Sequence, residues 1–510
     1  MTRIYPSPTW SPSGRRVRSL TLAAACLPLA SCMVGPNYTP PTPDMPAAYG
    51  ELHGAAATTP YATSNGEAAW WHHFNDPELV SLVGRAVAAN NNLEVAEAKV
   101  RQARSAREIA RSLLYPQIGV GASALRSRAS EAATGLPSGD LEGNLFQVGF
   151  DAEWTVDIFG GTRRLVESAV AEEQGAEARR RGVVLMVAAE TARAYVELRG
   201  AQRELAVARA TLADQVETHE VTEDRNAKGL ASKLEVVRAR TEVEATAAEI
   251  PSIQQAIRAY VHVLSTLMSL EPTALDGELA ATVPIPAVPQ RISVGVPSDI
   301  LRRRPDVQAA ERQIASATAQ VGVATAELFP KVRLGTSGGL SSRETGDLFN
   351  GNSSGESSTT YLAGPSVNWT LFDAGRRRAT IKMSEAEVVA AKASYEETVL
   401  AAFREVESAL VAVDRGRVRL ADLERVAASA REALTIAQGD YRNGLLDQLT
   451  VLDAHRQASR AEMLLAQGQV TLTVDVVRLY KALGGGWEVA EPSAAAPATA
   501  AVSMNSKEIP

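Results

Sequence analysis

The 510-residue sequence predicts an α+β membrane protein made of two internal repeats, each joining two β-strands to a long helical hairpin. Three observations predict this. The chain repeats itself at a nearly constant offset. Four segments of roughly ten residues alternate apolar with small or polar side chains, the pattern of a strand with one apolar face. Alanine-rich stretches free of proline hold helical spacing for about 60 residues, or roughly 90 Å of helix.

The repeat comes first, because it decides how everything else is read. "LLYPQIGVGASAL" from Leu113 and "ELFPKVRLGTSGGL" from Glu327 place Pro116 and Pro330 214 positions apart. At that offset "NLEVAEAKVRQA" from Asn92 falls on "DVQAAERQIASA" from Asp306. "WTVDIFGGTRR" from Trp154 resembles "WTLFDAGRRR" from Trp369 after a small gap. "NAKGLASKLEVVRAR" from Asn226 resembles "YRNGLLDQLTVLDAHR" from Tyr441, and Gly229 meets Gly444 at an offset of 215. Solenoid repeats run to about 20–50 residues. This period is far longer, so the chain is a duplicated half-protein.

The strands follow. Ile118, Val120, Ala122 and Ala124 alternate with Gln117, Gly119, Gly121 and Ser123; Phe146 to Val156 repeats the pattern with Gln147, Asp151 and Glu153 between. Val332 and Leu334 alternate with Lys331 and Arg333, and Tyr361 to Leu371 closes the set. In a soluble sandwich the apolar face points inward; in an outer-membrane barrel it meets lipid while the polar face lines water. The linkers "RASEAATGLPSGDLEG" and "RETGDLFNGNSSGESS" resemble extracellular loops. Single-chain barrels need at least about eight strands. Four cannot close, and open edges are not tolerated in lipid, so the barrel must be shared between chains.

The helices come as hairpins. Arg163 to Glu223 is followed by Ser232 to Ser269, which holds Pro251 and should be kinked or interrupted there. Arg376 to Asp440 is followed by Asp447 to Leu483, a pair without proline. Gly229 and Gly444 mark the reversals, and coiled-coil-like packing is expected. Shorter helices are expected at Asp76–Ala89, Asn92–Leu114, Ser298–Arg303 and Asp306–Leu328.

The N-terminus has Arg15, Arg16 and Arg18 before a short apolar run from Leu20 to Ala30, a secretory signal too short to span a bilayer. It ends in Leu29-Ala30-Ser31-Cys32, which resembles a lipobox. Cys32 is therefore the expected lipidation site, and Met33 after it favours the outer membrane by the lipoprotein sorting rule. Cys26 would be removed with the signal, so no disulfide framework remains. The segment to residue 70 reads as an extended tether, and the Ala/Pro/Ser-rich tail from residue 487 as disordered. The division is then 1–31 signal, 32–70 tether, 71–270 first repeat, 271–296 proline-rich equatorial linker, 297–486 second repeat and 487–510 tail.

Composition narrows the function. A net charge of −7 and a pI near 5.6 do not fit a nucleic-acid binder. Among six histidines only His72 and His73 adjoin, neighbours on a helix do not face one another, and no cysteine completes metal-ligand spacing. The pair reads as polar surface. No nucleophile elbow, P-loop or dinucleotide fingerprint occurs, so neither an enzyme nor a cofactor is expected beyond the lipid on Cys32. Two readings stay open: a passive duct, and a lipid-anchored scaffold spanning the periplasm, which leaves the strands unexplained.

"LASCMVGPNYTPP", "WWHHFNDPELVSLVGRAVAANNNLEVAEAKVRQA", "GVPSDILRRRPDVQAAERQI", "LFDAGRRRA" and "YRNGLLDQLTVLDA" together resemble the TolC-like outer-membrane factor family, in its NodT-type lipoprotein branch serving resistance–nodulation–division (RND) pumps. The resemblance runs from Cys32 to about Trp487. It implies a homotrimer with a twelve-stranded β-barrel, a periplasmic α-helical barrel, and partners in a periplasmic adaptor and an inner-membrane RND transporter. Type I protein secretion is the other duct function it leaves open. It also implies a periplasmic gate. Asp453 matches one of two aspartates the family places in a constriction ring, the other position being Thr450 here, and Tyr441 matches a tyrosine tying the inner hairpin to its neighbour. Asp447 stands near the tip and adds charge. Arg238 is the repeat equivalent of Asp453, so an ion pair between hairpins is expected. Gly229-Leu230 and Gly444-Leu445 put leucines at exposed turns, expected to dock the adaptor.

Overall fold

The computed structural model describes residues 33–51, 61–62, 69–130, 142–350 and 357–488. The signal segment, Cys32, most of the first strand-linking loop, part of the second and the tail from residue 489 lie outside the described residues. In chain order the elements are β1 (Tyr61–Ala62), α1 (Pro77–Ala89), α2 (Asn91–Ser112), β2 (Gln117–Arg128), β3 (Glu142–Val156), α3 (Gly161–Ala227), α4 (Lys233–Leu267), β4 (Ile292–Ser293), α5 (Ile300–Arg303), α6 (Pro305–Ala326), β5 (Lys331–Ser342), α7 (Asp347–Asn350), β6 (Thr359–Asn368), α8 (Arg376–Arg442) and α9 (Gln448–Ala482). The halves match element for element where it matters. The long helices α3 and α8 have 67 residues each, and α4 and α9 have 35 each.

The chain divides into two compact units. The first holds the segment ending at Pro41, Arg101–Gln174 and Glu311–Ala393. Its centre is a four-stranded antiparallel sheet in the order β2-β3-β5-β6. The register pairs Val120 with Phe150, Phe150 with Gly338 and Gly338 with Tyr361, so directly opposed residues share a face. One face therefore collects Ile118, Val120, Phe150, Leu334, Tyr361 and Val367, all exposed. The other collects Gln117, Asp151, Glu153, Arg333 and Ser366, with Arg333 and Glu153 paired at 3.1 Å. β2 and β6 are the edges, and each has one side without a strand among the described residues.

The junctions between strands and helices are built twice. Trp154 Nε1 donates to the Leu114 carbonyl at 2.9 Å, and Trp369 Nε1 donates to the Leu328 carbonyl at 3.0 Å. Asp157 accepts from the backbone N–H groups of Thr162 and Arg163 and from the Arg163 side chain. Asp373 accepts from Gly375 and from Arg377 in the same way, at 2.8 Å from Arg377 Nε. Each aspartate satisfies helix-start donors that nothing else would.

The segment after Cys32 is extended but not loose. Val34 N–H donates to the Phe159 carbonyl at 3.1 Å. The buried guanidinium of Arg164 donates to the carbonyls of Val34 and Gly35, and to Asn37 Oδ1 at 2.7 Å. Gly35 has φ +87°, and a Cβ there would lie 2.5 Å from the Gly322 Cα, so the slot admits only glycine. Tyr38 donates to Glu311 at 2.7 Å beneath Arg312. Residues 33–38 of the expected extended tether are thus held against α3 and α6. A buried arginine supplies the donors that unstructured backbone carbonyls would otherwise take from water.

The second unit holds Thr42–Val100, Gly175–Ala310 and the chain from Ser394. Asp76 caps α1 by accepting from the N–H groups of Glu78 and Leu79, with Pro77 at the first helical position. The Tyr195 hydroxyl donates to the same aspartate at 2.9 Å. Trp70, Phe74 and Tyr480 stack into an aromatic core, which His73 joins through a 3.0 Å contact from Nδ1 to the Tyr480 hydroxyl. The surface reading of His73 is corrected: a tight 3-10 turn over Trp70–Phe74 rolls it inward, while His72 stays exposed. Pro305 opens α6, and the Arg304 before it reaches Asp306, Glu405 and the Ala482 carbonyl. Trp487 also packs, donating to the Arg303 carbonyl at 2.9 Å with Arg181 over its ring, so the order extends past the expected start of the tail. α4 runs unbroken through Pro251, since one lost N–H is a small part of a 35-residue helix. No helix among the described residues is long and apolar enough to cross a membrane.

Candidate functional site at the hairpin tips

Each hairpin turns on a glycine in the left-handed region, Gly229 at φ +73° and Gly444 at φ +76°. Leu230 N–H returns to the Arg225 carbonyl at 2.8 Å, and Leu445 N–H to the Asp440 carbonyl at 2.8 Å. This double closure of the last helical turn needs a residue that tolerates positive φ. It leaves Leu230 67% and Leu445 72% exposed, so neither leucine covers the helix end. Leu234 and Leu449, one turn further on, are exposed too. Both tips therefore present bare leucine pairs.

The next helices start on matching caps. Ser232 accepts from Glu235 N–H while Glu235 reaches back to Ser232 N–H, a capping box. Asp447 accepts from Thr450 N–H at 2.9 Å and from the Thr450 hydroxyl at 2.6 Å. These bonds hold the Asp447 carboxyl below its ordinary pKa. The Thr450 hydroxyl is spent on the cap, and Asp447 is a helix-start residue as well as a charge.

Tyr441 is buried among Ala437, Val451, Val221 and Ala454. Its hydroxyl lies 3.3 Å from Thr222 Oγ1. Thr222 already donates to the Thr218 carbonyl at 2.8 Å, so it accepts from Tyr441. It also accepts from Gln448 Nε2 at 3.2 Å, and that amide donates again to the Glu235 carbonyl at 3.0 Å. Arg225 stands over the Tyr441 ring and donates to the Tyr441 carbonyl at 2.9 Å. Tyr441 on α8, Gln448 on α9, Thr222 and Arg225 on α3 and Glu235 on α4 thus meet in one knot. Sequence reasoning found Tyr441 and missed the other four. A buried Gln or Thr in an alanine-rich helix has the same spacing as a solvated face, and the partners stand more than 200 positions apart.

Asp453 and Arg238 are both exposed and do not pair within the chain. Asp453 accepts from Gln457 on its own helix at 2.6 Å. Ion pairs that do join the hairpins are Arg456 with Glu242, Arg442 with Glu217 at 2.6 Å, and Arg203 with Glu462 at 3.7 Å. Within one chain Arg238 and Asp453 stay apart: buried Val236, Ala239, Val451 and Leu452 turn toward the packing, and both charges sit on the free side of their helices. Cys32, the expected lipid site, lies outside the described residues. Groups of His, Cys, Asp and Glu able to hold a metal are absent among the described residues.

A four-stranded sheet with one apolar face, joined to two long helical hairpins, is the architecture of an outer-membrane channel component. The outer membrane efflux protein family model matches residues 82–268 and 296–485. Nodulation protein T of Rhizobium leguminosarum bv. viciae is 33% identical over 492 residues, covering 94% of this chain and 96% of that protein. The probable efflux pump outer membrane protein TtgC of Pseudomonas putida is 30% identical over 477 residues, covering 92% and 95%. The outer-membrane channel OprN superposes with a TM-score of 0.82 at 36% identity, over 90% of this chain and all of that one. The chain belongs to the outer membrane efflux protein family. It is an outer-membrane exit duct of a tripartite efflux system, a passive channel and not an enzyme.

Proposed function

We propose that three copies of this chain close one twelve-stranded barrel in the outer membrane, continued by a helical barrel in the periplasm, and that the duct passes small molecules outward. The observation that carries this is the sheet with one apolar face and two open edges. Edge β6 of one copy next to edge β2 of another removes every free edge, as lipid requires. Two copies give eight strands, which leaves little free interior, whereas twelve leave a water path. The apolar face then meets lipid, and Asp151, Glu153 and Arg333 line the lumen.

The domain division, the lipid on Cys32 and the adaptor at the tips belong to the same reading. Arg164 holds residues 34–37 beside the start of α3, next to the aromatic strand ends, where an acylated Cys32 would enter the inner edge of the membrane. The exposed leucines at both tips are the surface for a periplasmic adaptor, which links the duct to an inner-membrane RND transporter. The knot around Tyr441, with Asp453 on the free side, is a gate that the loaded adaptor opens.

The test is conductance of the purified protein in planar bilayers together with its mass in detergent. A trimer giving discrete small steps at rest, and larger ones for Asp453→Ala combined with Tyr441→Phe, supports the duct and its gate. The same double variant should admit vancomycin to cells. A monomer without conductance overturns the duct. A well-assembled variant with unchanged steps removes both residues from the gate.

A further inference from the structure

Between the hairpins, α3 and α9 pack differently along their length. Away from the tip α9 buries mostly apolar side chains, Leu472, Val474, Val476, Val477 and Leu479, with Thr473 and Asp475 among them. Toward the tip the buried side chains turn polar. α3 buries Thr211, Gln215, Thr218 and Thr222, one face at spacings of three and four, and α9 buries Gln448 and His455 among Val451 and Leu452. Gln215 Oε1 has no partner among the described residues. Thr211 donates to Ser459 at 3.3 Å. Hydroxyls and amides are groups that water satisfies equally well, so this part of the seam loses little when it parts. An apolar seam would lose its whole burial energy.

His455 sits at the middle of that seam, only 2% exposed. Its Nε2 lies 3.4 Å from Thr218 Oγ1 and 3.1 Å from the Gln438 side-chain amide nitrogen. No carboxylate touches it among the contacts described. A neutral ring with its hydrogen on Nδ1 accepts from Gln438. A protonated ring sets one N–H against the Gln438 NH₂; turning that amide would mend the contact but leave a charge buried without a counter-ion. The charged groups around it are spoken for or distant. On α3 they are Asp214, exposed, and Arg203; on α4 Glu242, held by Arg456 of α9; on α8 Arg431, held by Glu462 of α9.

We propose that His455 is a proton-sensitive latch of this gate: neutral, it holds the polar seam shut, and protonated, it drives the hairpins apart at the tip. This rests on the gate reading. Burial lowers the imidazole pKa, against the pull of Asp214 and Glu242 in the other direction. In the parted state water returns the ring to its ordinary value of about 6.5. The parted state therefore binds the proton more tightly. The closed state keeps its full advantage above about pH 6.5 and loses it as pH falls from there toward the depressed value.

The experiment is open probability in planar bilayers as pH on the tip side falls from about 7.5 to 5.5. Wild type should open severalfold more often in acid, and His455→Gln should be flat. Asp214→Asn, at an exposed position that leaves packing intact, should move the transition to higher pH and enlarge it, because it removes a charge that favours the protonated ring in the closed state alone and so widens the gap between the closed and parted pKa. A wild-type profile without pH dependence overturns the latch. So does a His455→Gln profile like the wild type's, or an Asp214→Asn midpoint that stays in place. The Asp453→Ala, Tyr441→Phe variant at neutral pH reports on the gate separately: larger steps there with a flat wild-type pH profile leave the gate standing and remove the latch.

Discussion

Arg225 stands over the ring of Tyr441, its guanidinium carbon 4.6 Å from the ring centroid, and the same guanidinium donates to the Tyr441 carbonyl. One side chain of the first repeat thus grips both the ring and the backbone of the second. A half-buried cation over an aromatic ring contributes about 0.5–2 kcal/mol, and a charged hydrogen bond about 1.5–3 kcal/mol. Tyr441→Phe keeps both and loses only the hydroxyl contact to Thr222. Arg225→Ala should therefore raise resting conductance more than Tyr441→Phe, by roughly 5- to 30-fold in open probability for 1–2 kcal/mol. Single-channel recording at neutral pH ranks the two variants; the reverse order contradicts the geometry.

Arg456 and Glu242 join α9 to α4 across the hairpins. Exposed pairs of this kind contribute about 0.2–1 kcal/mol and weaken with salt. Arg456→Glu should open the gate modestly, and adding Glu242→Arg should restore the wild-type level. If the double variant is no better closed than the single one, the pair does not couple the hairpins.

Leu445→Glu puts a charge on the most exposed leucine of the second tip. Efflux and cross-linking to the adaptor should be lost, while trimer mass and surface level stay unchanged. Leu230→Glu should act likewise at the first tip. Normal cross-linking in both variants would count against docking there.

Cys32→Ala should abolish fatty-acid labelling of the cell-grown protein. Arg164→Ala should keep the label but free residues 33–38, because the Val34 and Gly35 carbonyls and Asn37 lose their donor. Leaving buried acceptors without their donor costs about 1–3 kcal/mol of local stability. Limited proteolysis measures it: wild type should resist cleavage near Pro36, and Arg164→Ala should be cut there. Equal resistance would mean that the slot does not hold the segment.

What the sequence made legible follows the physics of pattern. Period two fixed the apolar face of β3 because Phe146, Val148 and Phe150 recur against Gln147 and Gly149. Gly229 and Gly444 announced the turns because few other residues tolerate positive φ there. The Arg164 slot was invisible, since "RR" after a glycine turn reads as a surface charge and its partners are two backbone carbonyls and the Asn37 side chain, 127 to 130 positions away. The expected pairing of Arg238 with Asp453 came from lining up repeats, which matches residues by position but says nothing of which way each faces. His455 was equally hidden: one histidine in a helix carries no period of its own.

The open edges of the sheet also set the genetics of the duct. On the three-chain reading no chain enters the membrane alone, so damaged and intact chains made together share the same rings. With equal amounts mixing at random, about one ring in eight is wholly intact. A Leu445→Glu chain, folded but unable to dock, would therefore silence most of the wild-type protein beside it. A chain that cannot pair its edges would silence none. Co-expression thus sorts defects by where they act, before any channel is purified.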